Sequence, residues 1–504
     1  MYKINIKCNL STELLIFILN LSHKSLKAKI FEVLNTFSKE DFVRFGQFVE
    51  SDYFNTSAML RALYSVIRKN YSKLAENKLT REFLFEAIYP GREYREGTIV
   101  NLLSGLYKLS EDYLSVEMYR EQTIDREKYL LKALGSRRLN KFFNKNYDEL
   151  VKSMDKAEIQ NEEYYFNRYD IDIQRISYTP NESAYMKTEI IQDCHDKLID
   201  VMLLKFLNVY IFMLNNKKYG YDHKFNMSFI DNIISYISGN SFEHIPAVLI
   251  HFNLMMLLKD DGEKYYFKLK ELLREHSNIL ESAEKWTAYI SMANYCETRP
   301  DAGNMDERFP REVYDLYRTI IEKRIYKIQG WYPHLHHRLY LNVVLNALNQ
   351  KEFEWCENFM NVYKSEISEE YREGTYNLCS ALFYFSRNEF EKSLKYLNKV
   401  QNEDPFYFLQ IKALTLQIYY ELNLFDTGLT AIDSYKHYLK EKTEIPDRYK
   451  CQHRNFVNIV YKLFKIKCGD DQYVMSKFDP ANEEYRNPLK KGWILEKIEE
   501  IKGA

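Results

Sequence analysis

The 504-residue chain has few residues that interrupt helices, with 15 glycines and 10 prolines. Sandwiches, barrels and doubly wound sheets need glycine at many turns, so this scarcity favours long helices joined by short connections. The sequence has no GxGxxG or P-loop motif, which excludes both common loops for nucleotide phosphates. It also lacks HExxH, nucleophile-elbow and EF-hand motifs. We therefore expect a protein that is not an enzyme and uses no cofactor.

The seven cysteines form no CxxC pair, which excludes a zinc ribbon and a thioredoxin-like site. Cys194 and His195 are neighbours, but adjacent helical residues point about 100° apart and cannot act as nucleophile and base. His334 and His337 are predicted to share one helix face, yet two ligands make a poor metal site. We expect no bound metal. Scattered cysteines are typical of a reducing compartment, which predicts a cytoplasmic protein.

No excess of one charge is present, because 71 Lys and Arg residues face 72 Asp and Glu residues. A net charge of −1 excludes attachment to nucleic acid or membrane by bulk charge. The most apolar long stretch, Leu198 to Leu214, carries Asp200, Lys205 and Asn208. This pattern predicts a buried helix of a soluble protein and no membrane span.

Sequence patterns typical of helices recur along the whole chain. Ser38 and Asp41 have the spacing of a capping box, and the following aromatic positions fall on one helix face. We predict an all-α fold with a helical bundle over 1–120 and a helical connector over 121–180. An α-solenoid of antiparallel helix pairs follows over 181–470, and the tail, 471–504, contains a short helix.

A repeat with a spacing of 35 to 37 residues occurs in the C-terminal half. Three segments align on turn aromatics, namely Phe353, Phe390 and Phe425. Three residues after each aromatic stands a small residue, namely Cys356, Ser393 and Gly428. Small residues allow two antiparallel helices to approach closely, so we expect helix crossings at these positions.

This pattern resembles a degenerate tetratricopeptide repeat over residues 335–440, and more weakly over Phe242–Leu280 and Glu284–Tyr326. The resemblance implies a superhelix whose first helices line a groove for a polypeptide, and hence a scaffold or adaptor that binds a protein partner. The groove positions that it implies are Arg338, Asn342, Leu378, Leu382, Phe385, Gln410, Gln417 and Tyr420.

A second hypothesis rests on the stretch 120–145, which has eight Lys and Arg residues against three acids. Arg137, Arg138, Lys141 and Lys145 are predicted to lie on adjoining faces of one helix. Such a surface could contact the phosphates of a nucleic acid, with the repeat array as the sensor of a regulator. The alternative interpretation of these residues is a solvated helix face.

Overall fold

The computed structural model describes residues 28–70, 79–178, 184–218, 224–298, 308–328, 333–400, 405–441, 447–469 and 489–503. These ranges contain 22 α-helices, two single-turn 3₁₀ helices and no strand. The predicted all-α class is therefore confirmed.

Five helices form the N-terminal bundle: α1 (Lys29–Leu34), α2 (Lys39–Glu50), α3 (Ala58–Lys69), α4 (Arg81–Ile88) and α5 (Glu96–Glu121). Their apolar faces meet in one hydrophobic cluster. The predicted capping box is present at the start of α2. The Ser38 hydroxyl accepts a hydrogen bond from the Asp41 amide at 3.1 Å, and the Asp41 carboxylate accepts one from the Ser38 amide at 2.9 Å.

Three further helices follow: α6 (Thr123–Ser136), α7 (Asn140–Met154) and α8 (Glu162–Tyr178). They share a second hydrophobic cluster around Leu131, Phe143 and Ile171. Backbone contacts divide the described residues into two compact units, one holding the chain up to 157 with 163–201, the other 158–162 with 202–503. The bounds of the four predicted segments remain predictions.

The helix α9 (Ala184–Lys218) contains the apolar run noted above. Among the described residues, one stretch, Thr188–Lys217, is long and apolar enough to cross a membrane by length and composition, and 39% of its most apolar window is buried. The expectation of a buried helix is therefore met only in part. Lys205 and Asn208 on this helix both bond to the Glu162 carboxylate, at 2.6 and 2.7 Å.

The rest of the chain consists of helices arranged mostly in pairs. They are α10 (Ile230–Gly239), α11 (Pro246–Asp260), α12 (Glu263–His276), α13 (Ser282–Thr298), α14 (Arg308–Glu322), α15 (His337–Asn349), α16 (Phe353–Tyr363), α17 (Glu369–Ser386), α18 (Phe390–Leu397), α19 (Pro405–Glu421), α20 (Phe425–Glu441), α21 (Asp447–Lys467) and α22 (Lys491–Gly503). The pairs from α11/α12 to α19/α20 pack internally, and the first helices α15, α17, α19 and α21 pack on one another in order. This stack of helix pairs is the predicted α-solenoid.

The three aligned turns have one backbone geometry. Each places a left-handed residue two positions before the turn aromatic, with φ of +59° at Lys351, +61° at Asn388 and +56° at Asn423. The next amide donates a hydrogen bond to a carbonyl five residues back, from Glu352 to Ala347 (3.0 Å), Glu389 to Tyr384 (2.9 Å) and Leu424 to Tyr419 (2.8 Å). This is the Schellman arrangement, which closes a helix and redirects the chain.

The predicted small positions lie in the interior. Cys356 and Ser393 are fully buried, and the Ser393 hydroxyl donates a hydrogen bond to the Ala381 carbonyl of its partner helix at 2.7 Å. Gly428 lies against the Phe464 ring of α21, where a Cβ atom would collide with that ring. The register that we predicted from the repeat is therefore the register of the helix crossings.

The short helix predicted in the tail is α22, and it is part of the core. Trp493, Ile494 and Ile498 join the hydrophobic cluster formed by α19, α20 and α21. The Trp493 indole N–H donates a hydrogen bond to the Glu421 carboxylate at 2.6 Å, and the Lys497 ammonium lies 3.0 Å from the same carboxylate. The last helix therefore covers the final pair of the array.

Candidate functional site

The residues predicted to line a groove on the first helices are mostly buried. Leu378 has no exposed surface and Gln417 has 2%, while only Phe385 is partly exposed. The other buried members of the set are Arg338, Asn342, Leu382, Gln410 and Tyr420. The expectation that these side chains are exposed to a partner is wrong.

The cause of this burial is the stacking of the first helices. The helix α17 packs against α15 on one side and α19 on the other, in addition to its own partner α18. A first helix enclosed in this way has little free surface, so even polar residues on it become interior. Asn342, for example, is 8% exposed, and its backbone carbonyl accepts a hydrogen bond from the side-chain amide of Asn346 at 2.8 Å.

The basic residues 137–145 do not lie on one helix, which corrects that prediction. Arg137 and Arg138 form the turn between α6 and α7, and Lys141 and Lys145 lie in the first two turns of α7. Arg138 has φ of +58°, and the next amide, of Leu139, donates to the Leu134 carbonyl at 3.0 Å. This turn therefore has the geometry of the three repeat turns.

All four basic side chains are exposed. Lys145 lies 3.9 Å from Glu149, whereas Arg137, Arg138 and Lys141 make no ion pair within the described part of the chain. The sequence from 137 to 146 has four cations and no acid, and it also exposes Leu139 (40%) and Phe142 (56%). The turn is a small cationic surface with apolar side chains at its centre.

The histidines near α15 do not share a helix face as predicted. His334 lies in a bend before the helix, His336 caps the helix by accepting from the Arg338 amide at 3.2 Å, and His337 is the first helical residue. His337 is 6% exposed and stacks on the Tyr371 ring, with centroids 4.2 Å apart. Among the described residues, no group of three or more His, Cys, Asp or Glu side chains could hold a metal ion.

Cys194 and His195 diverge on α9, in agreement with the helix geometry. The thiol is buried, and burial raises the pKa of Cys194 to about 11. His195 is exposed, with Nδ1 3.0 Å from the Asp196 carboxylate. A thiol held protonated at neutral pH and separated from the imidazole is not an activated nucleophile.

A pocket of about 390 Å³ lies among α12, α13 and α14. The two second helices flank it, because Lys270 of α12 bonds to Glu312 of α14 at 2.6 Å, and Glu263 pairs with Arg308 at 3.4 Å. The first helix α13 forms the floor between them. The pocket is therefore bordered by two second helices, whereas the predicted groove residues lie on first helices.

The floor of the pocket is apolar. Leu273, Met292 and Leu316 are buried there, and burial raises the pKa of the neighbouring Tyr289 phenol. Phe267 stands at the rim with 40% of its surface exposed. A volume of this size falls in the range of ligand pockets, roughly 300–1,000 Å³, and accommodates one large apolar side chain.

The rim of the pocket is charged, and its carboxylates are all paired within the protein. Glu271 lies 3.0 Å from Lys268, Asp315 lies 3.4 Å from Arg311, and Glu312 holds both Lys270 and the Tyr266 hydroxyl at 2.6 Å. Lys323 is exposed at the end of α14 and makes no ion pair within the described part of the chain. The unneutralised charge at this rim is therefore positive.

No motif in the sequence indicated this pocket directly. The polar positions of α12 and α14 have the period of an ordinary solvated face, and their approach depends on how successive helix pairs stack. The weaker repeat over Phe242–Tyr326 did indicate that these helices belong to the array. Their turns are longer or lack the aromatic marker, so the register could not be extended to them.

Comparison with known proteins adds one similarity. No protein-family model matches the chain, and no curated protein matches its sequence. Among solved structures, the chain is similar to one titled "Crystal structure of APC/C hetero-tetramer Cut9-Hcn1", with 12% identity and a TM-score of 0.29 over 91% of this chain and 87% of that chain.

Proposed function

We propose that this protein is a non-catalytic scaffold that binds a polypeptide partner at the pocket among α12, α13 and α14. The observation that supports the proposal is an open pocket of about 390 Å³ with an apolar floor, built from three helices of two successive pairs. Burial of one or a few apolar anchors in such pockets supplies most of the affinity of protein interfaces.

The helical array supports the same proposal. Each added helix pair extends the surface without changing the core, and long surfaces of this kind suit polypeptide partners. An apolar pocket with a charged rim on this surface favours the binding of a partner.

Site-specific photocrosslinking tests the proposal. Benzoylphenylalanine replaces Phe267 at the rim in the full chain, and the crosslinked products are identified in cells of the native organism. The matched control carries the same photoreactive residue at Phe83 of the N-terminal bundle, which is 39% exposed against 40% for Phe267. We expect a defined polypeptide to crosslink at 267 and not at 83.

A blocking variant makes this result specific to the pocket. Thr319 lines the pocket, so Thr319→Trp should fill it and abolish the crosslink at 267. Arg318→Trp adds the same side chain at the preceding position of α14, outside the lining, and should leave the crosslink intact. Equal crosslinking in both variants, or none at 267 in the unaltered pocket, would contradict the proposal.

A second candidate function is nucleic-acid binding at the turn between α6 and α7. It is favoured by the unpaired, exposed cations Arg137, Arg138 and Lys141 beside the exposed Phe142, because cations contact phosphates and aromatic rings stack on bases. The repeat array would then serve as the sensor of a regulator.

Fluorescence anisotropy with a labelled single-stranded oligonucleotide distinguishes this candidate. If it is correct, affinity falls steeply with salt and is lost when the three cations are changed to glutamate. Reversal of Lys39, Arg95 and Lys108, three exposed cations of the N-terminal bundle, makes the same change in net charge and should have little effect. Absence of salt-sensitive binding, or equal loss in both variants, would exclude this function.

A further inference from the structure

We infer that the partner of the α12–α14 pocket is an acidic helical segment that inserts one apolar side chain and places a carboxylate on Lys323. The inference rests on the proposed function and adds the chemistry of the partner. It depends on two observations about one place: an apolar floor, and a rim whose only charge without a partner in the described chain is positive.

The charges on the rim of the pocket favour an acidic partner. Each lining carboxylate already has a cation within 3.4 Å, so a basic partner would have to displace Lys268, Lys270 or Arg311. An acidic partner displaces nothing, because Lys323 is exposed and unpaired within the described residues. Arg274, also on the rim, pairs among the described residues only with the neighbouring Glu275, at 3.2 Å, and its side chain is 77% exposed. Electrostatic complementarity therefore favours a carboxylate at this end.

The shape of the pocket favours a helical partner. Two neighbouring helices flank the pocket, and their contacts advance together from Glu263–Arg308 to Lys270–Glu312, so the helices run in the same direction. A channel between parallel helices suits a third helix laid along it. On such a helix, residues three or four positions apart share a face. An anchor on the floor and a carboxylate at Lys323 therefore fit one side of a single helix.

The inference is tested with defined peptides and the full chain. The probe is a fluorescein-labelled 12-residue helical peptide with one leucine and glutamates three and four positions after it. One control peptide has glutamine in place of both glutamates, and another has alanine in place of the leucine. We expect measurable anisotropy with the probe, about tenfold weaker binding of the glutamine peptide, and none of the alanine peptide.

Variants locate the binding. Lys323→Gln should lower the affinity for the probe about tenfold and leave the affinity for the glutamine peptide unchanged. Lys323 also lies at a helix C-terminus, where a cation stabilises the helix. Lys440→Gln removes an equivalent lysine from the last turn of α20 and should not change the affinity. Thr319→Trp should abolish binding, and Arg318→Trp should not.

Several results would overturn the inference. Equal affinity for the glutamate and glutamine peptides would show that the partner needs no carboxylate. Binding of octanoate, displaced by Thr319→Trp while no peptide binds, assigns the pocket to a small amphiphile. If no peptide binds but a polypeptide still crosslinks at 267, the partner chemistry is wrong and the scaffold proposal stands. If both experiments fail, both proposals fail.

Discussion

Gly428 of α20 packs directly against the aromatic ring of Phe464 of α21, with no room for a methyl group between them. The contact joins one helix pair to the helix that follows it. The sequence places Gly428 at the position occupied by Cys356 and Ser393 in the two preceding units. Each unit therefore places a small residue there, but at Gly428 the neighbouring ring occupies even the space of a Cβ atom.

Gly428→Ala should destabilise the protein by about 1–3 kcal/mol, because the new methyl group overpacks the crossing. The control is Gly97→Ala in α5, where a Cβ atom would meet nothing within 4 Å. Alanine has the higher helix propensity, so the control should be neutral or stabilising by up to about 1 kcal/mol. Differential scanning calorimetry of both variants checks the prediction. A melting temperature equal to that of the unaltered protein for Gly428→Ala would contradict the described crossing.

The repeat turns give a second prediction. Lys351 has φ of +59°, a conformation that costs most residues free energy but costs glycine none. Lys351→Gly should therefore stabilise the protein by about 0.5 kcal/mol. Asn388→Gly should change stability less, because asparagine tolerates this conformation. Urea unfolding compares the two variants, and a loss of stability in Lys351→Gly would show that the turn does not hold its left-handed form.

Glu297 of α13 makes the stability of the array depend on pH. Its carboxylate accepts a hydrogen bond from the Tyr317 hydroxyl at 3.2 Å, and burial raises its pKa from 4.5 to about 7. The folded protein keeps this proton to a higher pH than the unfolded chain does. Stability is therefore lost as pH rises from about 4.5 through 7, by about 3 kcal/mol.

Glu297→Gln removes the titrating group, so the variant should gain stability at pH 8 and little at pH 4.5. Glu271→Gln, at an exposed carboxylate of α12, is the matched control and should show no such difference. Melting temperatures at the two pH values provide the measurement. A similar dependence on pH in Glu297→Gln and the unaltered protein would contradict the assignment.

His453 of α21 acts in the opposite direction. Burial, with a smaller effect of the Lys490 charge, lowers its pKa from 6.5 to about 4, and Nδ1 lies 2.5 Å from the Tyr435 hydroxyl oxygen. The unfolded chain takes up a proton on this residue more readily than the folded protein does. The stability associated with a neutral His453 is present above pH 6.5 and is lost as pH falls through 4, by about 3 kcal/mol.

The fluorescence of Trp493 can report this transition, since its indole lies in the same C-terminal cluster of helices. In the unaltered protein, the fluorescence should begin to change below pH 6.5 as acid unfolding sets in. His453→Gln should reduce the difference in melting temperature between pH 5 and pH 7. If the difference in melting temperature between pH 5 and pH 7 is as large in His453→Gln as in the unaltered protein, another group causes it.

The sequence predicted local features well because each has a local cause. Ser38 caps α2, and the small residues Cys356, Ser393 and Gly428 mark crossings, since these roles depend on side-chain size and on bonds to nearby backbone. The left-handed turn at Asn388 also lies at a predicted turn.

Prediction failed where a residue's environment is set by distant helices. Arg338 and Gln417 have side chains typical of a surface, yet the helices packed on both sides of α15 and α19 bury them. The pocket arises in the same way, from the approach of α12 to α14 across an intervening helix. Hydrophobic periodicity indicates which face of a helix is apolar, but it does not indicate how many neighbours the helix has.

The last helix, α22, has a consequence for assembly. A stack of helix pairs exposes an apolar face wherever no further helix packs on it, and this face can bind another molecule, as the edge strand of a β-sheet can. The ring of Trp493 covers that end by packing on Tyr420, with centroids 5.4 Å apart, in the cluster that also contains Phe464. Proteolytic loss of α22 would leave this apolar face open to the same face of another molecule. Within the described residues, α22 thus shields an apolar face through which two copies of the chain could pair.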